Sequence, residues 1–223
     1  MGLSHSPRIV TNGLVLCLDA GNTKSYPGSG TTWTDLSGSG SNGTLTNGPT
    51  YSSGNGGSIV FDGIDDFVQC TGSLTGTDAT FIAWINRNGN QTSYSGIIFS
   101  RSTQVSGMNF RLSDTLGYHW ASIPGTDQFV SNLTIPNLAW CMCAVSVSST
   151  AATLYLGTSS GISSATNTIS HTSTTIDDIK LGQDDLGSRW YKGNIANAQI
   201  YNRALSAAEI QQNFNALRGR FGI

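Results

Sequence analysis

The apolar positions of this chain fall into short runs separated by Gly, Ser, Thr and Asn. Residues 14–18 (LVLCL) are continuously apolar and have the length of a buried strand. Residues 21–57 are dominated by turn formers, with short strand signals near Trp33 and Leu45. Residues 58–61 and 66–70 read as two strands joined by a turn at 62–65. Residues 81–85 (FIAWI) form an aromatic and β-branched strand. Residues 86–95 read as a hairpin loop, with 96–100 as the returning strand. Weaker strands are expected over 109–112 and 118–121, a core strand over 139–147, and an alternating strand over 152–157. Residues 178–182 and 194–201 complete the set. Many short strands without interleaved helices predict an all-β sandwich or barrel.

One helix is expected, at the end. Ser206 and Glu209 have the spacing of a capping box, and Leu205 and Ile210 that of a hydrophobic staple. Ile210, Phe214 and Leu217 then share a face, and Gly219 can end the helix. The organisation read from this is an N-terminal arm over 1–12, free or docked, and a sandwich over 13–203. A helix over 204–217 caps an edge or an open end of the sandwich, and 218–223 form a tail. Trp84 and Trp140 sit in apolar strands and read as core.

Composition narrows the function. Charged residues are 11% of the 223 and the net charge is −2, against about 25% charged residues in an average domain. Without clustered Lys and Arg, no nucleic-acid partner is expected. No run of about 18 apolar residues exists, so no membrane span is predicted. Residues 1–12 show no basic start followed by an apolar run, so no secretory signal is expected there. Cys141 and Cys143 lie two apart and face the same way on a strand. All four cysteines read as small buried residues; a Cys17–Cys70 bridge stays open, and no zinc spacing is present.

Catalysis is not expected. Glycoside hydrolysis normally needs two carboxylates about 5–10 Å apart. The single glutamate, Glu209, belongs to the helix cap. Asp65-Asp66, Asp177-Asp178 and Asp184-Asp185 are sequence neighbours, which point to opposite faces of a strand. No Gly-x-Ser-x-Gly element and no phosphate-cradling loop is present.

Several segments together resemble a known family. They are Trp33-Thr34-Asp35-Leu36-Ser37-Gly38, Asn42-Gly43-Thr44-Leu45, residues 57–63 (GSIVFDG), Asp65-Asp66 and residues 81–85. Near the end, Lys192-Gly193-Asn194-Ile195, residues 200–206 (IYNRALS) and Glu209-Ile210 add to them. These are similar to laminin-G-like domains of the concanavalin A-like lectin/glucanase superfamily, over roughly residues 13–217. The resemblance implies a two-sheet antiparallel jelly-roll sandwich with one short C-terminal helix. Ala196 stands where that family often carries an acidic residue, so no role of that carboxylate carries over.

The resemblance also implies chemistry to look for. Sugars stack on aromatic rings; Trp190 is the first candidate, followed by Tyr191, Tyr94, Tyr118 and Trp120. Calcium is the cofactor this fold most often uses, and Asp62, Asp65 and Asp66 cluster in one turn, with Asp19, Asp35 or Asn42 in reach from the N-terminal loops as further ligands. The competing reading is an Asp-Gly turn in which Asp62 binds its own backbone. The compact Asn/Thr/Gly-rich version is similar to laminin-G-like proteins in the structural modules of tailed phages, notably those infecting cyanobacteria. That implies a non-catalytic capsid-decoration or tail accessory protein on the virion surface. It would be a homo-oligomer contacting other virion proteins and binding host glycans weakly. The alternative is a glycan-binding adhesion module at a cell surface; a glycoside hydrolase is disfavoured.

Overall fold

The strand Ala79–Arg87 shows why the molecule has three layers. Phe81, Ala83 and Ile85 point into one apolar cluster, Ile82 and Trp84 into another, and all five are fully or almost fully buried. Cys141–Val147 does the same, with Cys141, Cys143, Val145 and Val147 on one side and Met142 and Ala144 on the other. A strand that is apolar on both faces belongs in a sheet covered on both sides.

The computed structural model describes residues 7–102, 104–122 and 128–223. Two large antiparallel sheets lie face to face. The first runs Gly161–Asn167, Ala152–Thr158, Cys141–Val147, Ala79–Arg87, Lys192–Tyr201, Ser58–Asp62 and Thr50–Ser52, with Leu14–Asp19 pairing the second half of Lys192–Tyr201. The second runs Gln128–Thr134, Thr115–Ser122, Val105–Phe110, Gly96–Arg101, Ile179–Leu181, Phe67–Cys70, Gly43–Thr46 and Thr32–Trp33. The main core between them includes Trp33, Phe61, Phe81, Phe110, Tyr118, Trp120 and Tyr191.

This placement corrects the expected hairpin at 86–95. Ala79–Arg87 lies in the first sheet and Gly96–Arg101 in the second, so the segment between them crosses from sheet to sheet. Hydrophobic period says which face of a strand is buried, and nothing about which sheet the next strand joins.

The helix Ala207–Leu217 has the expected capping box at Ser206 and Glu209. It does not cap an edge or an open end. Ile210 and Phe214 lie on the outer face of the first sheet with Ile82, Trp84, Met142, Ala144, Ala196 and Tyr201. The approach is close enough that a Cβ at Gly157 would stand 2.6 Å from the Phe214 ring. The Trp84 ring is stacked between Phe214 at 5.7 Å and Phe221 at 4.5 Å.

Both termini are part of this layer. Residues 218–223 are no free tail: Arg218–Phe221 continues as a 3-10 turn that buries Phe221, and Gly222, with φ of 71°, ends it in place of Gly219. Trp140 is half-buried rather than core, 4.6 Å from Phe221, with its indole N–H donating to Asn55 Oδ1 at 3.0 Å. At the other terminus, Val10 N donates to Asn213 Oδ1 at 2.7 Å, and Asn213 Nδ2 donates to the Tyr201 hydroxyl at 3.0 Å. The Tyr201 hydroxyl lies 2.8 Å from Gln199 Oε1 and 2.9 Å from Val10 O. The described part of the N-terminal arm is therefore docked.

The four cysteines are free and buried, which closes the question of a Cys17–Cys70 bridge. Burial pushes the Cys17 and Cys70 thiols up to about 12. With the helix side of the first sheet covered, the outer face of the second sheet is where a ligand would find polar groups.

Candidate functional site

Alternation sets the composition of that outer face. In Thr115–Ser122, Leu116, Tyr118 and Trp120 enter the core, leaving Gly117 and His119 on the other side. In Val105–Phe110, Met108 and Phe110 enter the core, leaving Gly107 and Asn109 outside. Strand register then lines up Gln69, Lys180, Phe99, Gly107 and His119 in one row across five strands. Gly107, at φ of 138°, occupies a conformation that disfavours side chains, and it leaves the rings of Phe99 and His119 edge to face at 5.5 Å.

The next row is Gly96, Asn109 and Gly117. Asn109 therefore has glycine on both sides. Its carboxamide lies over Gly117 beside the stem of Arg111, with Oδ1 3.0 Å and Arg111 Cβ 2.7 Å from where a Gly117 Cβ would stand. Asn109 is 0% exposed, and neither Nδ2 nor Oδ1 has a hydrogen-bond partner among the described residues. The same is true of the enclosed Arg111 Nε. An unpaired buried polar group costs about 1–3 kcal/mol, so these atoms single out this patch.

Above this floor the charge is concentrated. Tyr94, at φ of 70°, has two guanidinium groups against its ring, Arg111 at 4.7 Å and Arg189 at 4.6 Å. Each such contact is worth about 0.5–2 kcal/mol. Tyr94 also lies 6.0 Å from His119. Asp184, fully buried, accepts from Arg101 Nε at 2.5 Å and Nη2 at 3.0 Å, and from Arg189 Nη1 at 2.7 Å. Burial pushes the His119 imidazole down to about 4; Asp184 opposes that shift, and Arg101, Arg189 and Arg111 add to it. His119 is thus neutral at neutral pH, and three cations face one carboxylate.

Beside this cluster, Trp190 is half-buried against Phe67 at 6.3 Å, and Lys180 lies 5.7 Å from the Phe67 ring. Lys180 is paired with Asp178 at 3.1 Å and with Asp185. Trp190 and Tyr94 are the sugar-stacking candidates that reach this face. The other three do not. Tyr191 is fully buried and donates to Asn194 O at 3.1 Å. Tyr118 is buried with its hydroxyl 2.9 Å from His171 Nε2, and Trp120 is buried with its indole N–H on Thr172 O at 2.9 Å. Tyr118 and Trp120 follow the inward phase of their strand and Tyr191 lies in the main core between two strands, so no ring face is left for a ligand.

Arg101, Asn109 and Arg111 were not singled out from the sequence; Asp184 was weighed only as one of an adjacent carboxylate pair, His119 only as a member of a Ser-His-Asp arrangement, and Arg189 only as the end of the polar loop before Trp190. A signal was there: Leu116, Tyr118 and Trp120 alternate with Gly117 and His119, which marks a polar outer face. The convergence of three arginines from separate segments left no trace in spacing.

The acidic turn meets the expectation only in part. Asp62, Asp65 and Asp66 place carboxylate oxygens within 4.8 Å of one another. Asp62 Oδ1 accepts from Ile64 N at 2.8 Å and Asp65 N at 3.4 Å, and Asp66 Oδ2 accepts from Asp62 N at 3.0 Å. The carboxylates thus close the turn through backbone amides. Asp19, expected as a further ligand, is instead paired with Arg220 at 2.6 Å. Calcium takes six to eight oxygens, of which these three carboxylates supply part.

Two antiparallel sheets packed face to face, one backed by a helix, define an all-β jelly-roll sandwich. The chain belongs to the concanavalin A-like lectin/glucanases superfamily, which its sequence matches over residues 61–211. No curated protein sequence matches the chain. Among solved structures it is similar to domain 4 of AbnA, an extracellular arabinanase from Geobacillus stearothermophilus, in complex with arabinotriose. The TM-score is 0.67 at 18% identity, covering 91% of this chain and 98% of that one. It is also similar to the binding domain of Paraclostridial Mosquitocidal Protein 1, with a TM-score of 0.71 at 15% identity, covering 92% of this chain and 52% of that one. For the receptor binding domain of botulinum neurotoxin type G the TM-score is 0.68 at 11% identity, covering 91% and 51%. The chain thus spans all but a little of the arabinanase domain and about half of each toxin domain.

Proposed function

We propose that this chain is a non-catalytic carbohydrate-binding module whose ligand rests on the outer face of the second sheet. The observation that carries this reading is the partly exposed cluster of Tyr94, Arg111 and Arg189 on the outer face of the second sheet. Trp190, next in sequence to Arg189 and partly exposed, supplies a stacking surface. The family and the arabinotriose-bound relative support a sugar as the ligand. The engagement of several carboxylates in ion pairs supports the non-catalytic part of this reading. Asp184 is held by two arginines, Glu209 by Arg203 and the helix cap, and Asp178 and Asp185 by Lys180.

The test is an oligosaccharide array probed with the wild-type chain and with Trp190→Ala. Saturable binding that weakens about 10-fold or more in the variant supports the reading, and release of reducing sugar from any bound member would end the non-catalytic part of it. The setting we propose is the surface of a virion, as a homo-oligomeric decoration or accessory protein. The low fraction of charged residues and the Ser/Thr/Asn-rich sequence support that setting. Mass spectrometry of purified particles tests it: stoichiometric copies are expected, and absence from particles would leave the cell-surface module as the reading.

A further inference from the structure

We propose that the ligand of this face carries an anionic group, a carboxylate or sulfate on a sugar, and that Arg111 receives it. This rests on reading the face as a glycan site. Three guanidinium groups converge here, and the carboxylates nearby do not balance them. Asp184 serves Arg101 and Arg189. Asp178 and Asp185 serve Lys180. Arg111 has no acidic partner among the described residues, and its Nε has no acceptor. This excess of positive charge stands in a chain whose net charge is −2.

The geometry favours an oxyanion over a neutral hydroxyl. The Tyr94 ring lies against the guanidinium of Arg111 at 4.7 Å. A guanidinium recognises a carboxylate or sulfate through two parallel N–H donors, and those charge-assisted bonds are about twice as strong as neutral ones. The Asn109 carboxamide, enclosed over Gly117 beside the Arg111 stem, forms part of the floor of this patch. A neutral sugar would leave the Arg111 charge without a counter-ion. Arg111, Arg189 and Trp190 are each partly exposed, which gives the ligand a way in from solvent.

The experiment is a binding titration on matched oligosaccharides, neutral, carboxylated with uronic or sialic acid, and sulfated, with the wild-type chain, Arg111→Gln, Arg111→Lys and Trp190→Ala. The expected result is at least about 10-fold tighter binding of acidic members than of their neutral counterparts, weakened by added salt. Arg111→Gln should remove that preference, costing about 10- to 100-fold on acidic members alone. Arg111→Lys should recover only part of it, because the charge stays and the planar fork is lost; it also carries the test if the glutamine variant does not fold. Trp190→Ala should weaken acidic and neutral members alike. Whether carboxylated or sulfated members win identifies the anion. Neutral members binding as tightly as acidic ones would overturn this proposal and leave the lectin reading standing. If no member binds at all, both fall.

Discussion

Asn109 is the residue at which stability and the proposed function pull apart. Its carboxamide loses its water on folding and gains no described partner, so the free protein carries that cost. Replacing it with alanine removes both unpaired atoms. Asn109→Ala should raise the stability of the free protein by about 1 kcal/mol, seen as a melting temperature about 2–4 °C higher, while weakening ligand binding. A residue with a purely structural role would do the reverse, and a destabilised variant would refute the functional assignment. His119 makes a second prediction at this scale. Its imidazole falls from 6.5 unfolded to about 4 folded, chiefly through burial, with Asp184, Arg101, Arg189 and Arg111 as the charges that bear on it. The unfolded chain therefore binds the proton first as pH drops. The stability linked to neutral His119 is complete above about pH 6.5 and is lost as pH falls through 4, by an amount on the order of 3 kcal/mol. Denaturant titrations between pH 7 and 4 should show this slope, and His119→Phe should flatten it.

Elements differ in how far the sequence announced them. The helix was legible because the Ser206–Glu209 box and the Ile210–Phe214 face are local signals. The strands Ala79–Arg87 and Cys141–Val147 were legible because both of their faces are apolar. Gly161–Asn167 was not: as an edge strand of the first sheet it is mostly Ser, Thr, Ala and Asn, without apolar alternation. The site was half legible. Trp190 and Tyr94 were recognised as surface aromatics, but Tyr118, Trp120 and Tyr191 carry the same residue types facing the core, and only the folded packing fixes that direction. The Asp62–Asp66 turn gives the prediction for this scale. It closes on its own backbone amides. A chelator should leave the melting temperature unchanged, whereas Asp62→Ala should cost about 1 kcal/mol by freeing the Ile64 and Asp65 amides. A drop in melting temperature on chelation would show that a metal holds the turn after all.

At the scale of the whole molecule, the first sheet separates two jobs. Its outer face is sealed by the helix, the C-terminal 3-10 turn and the arm at Val10, and this layer contributes stability. The outer face of the second sheet holds the enclosed Asn109 and the Arg101–Arg111–Arg189 cluster, and recognition is the role proposed for this layer. Mutations far apart with no shared partners act additively, so the two faces should respond independently. Phe221 is the sharpest probe of the sealed face, because it is 5% exposed and stacks on Trp84 at 4.5 Å and lies 4.6 Å from Trp140. Phe221→Ala leaves a cavity beside Trp84 and should cost about 3 kcal/mol, a fall in melting temperature of about 6–12 °C for a chain of this length. Binding measured well below the new melting point should not change. Asn109→Ala should do the opposite on both counts, stabilising while weakening binding. Measuring both variants in one set of melting curves and titrations therefore tests the division itself. If Phe221→Ala also weakened binding at low temperature, the two faces would be coupled through the main core, and recognition could not be assigned to the second sheet alone.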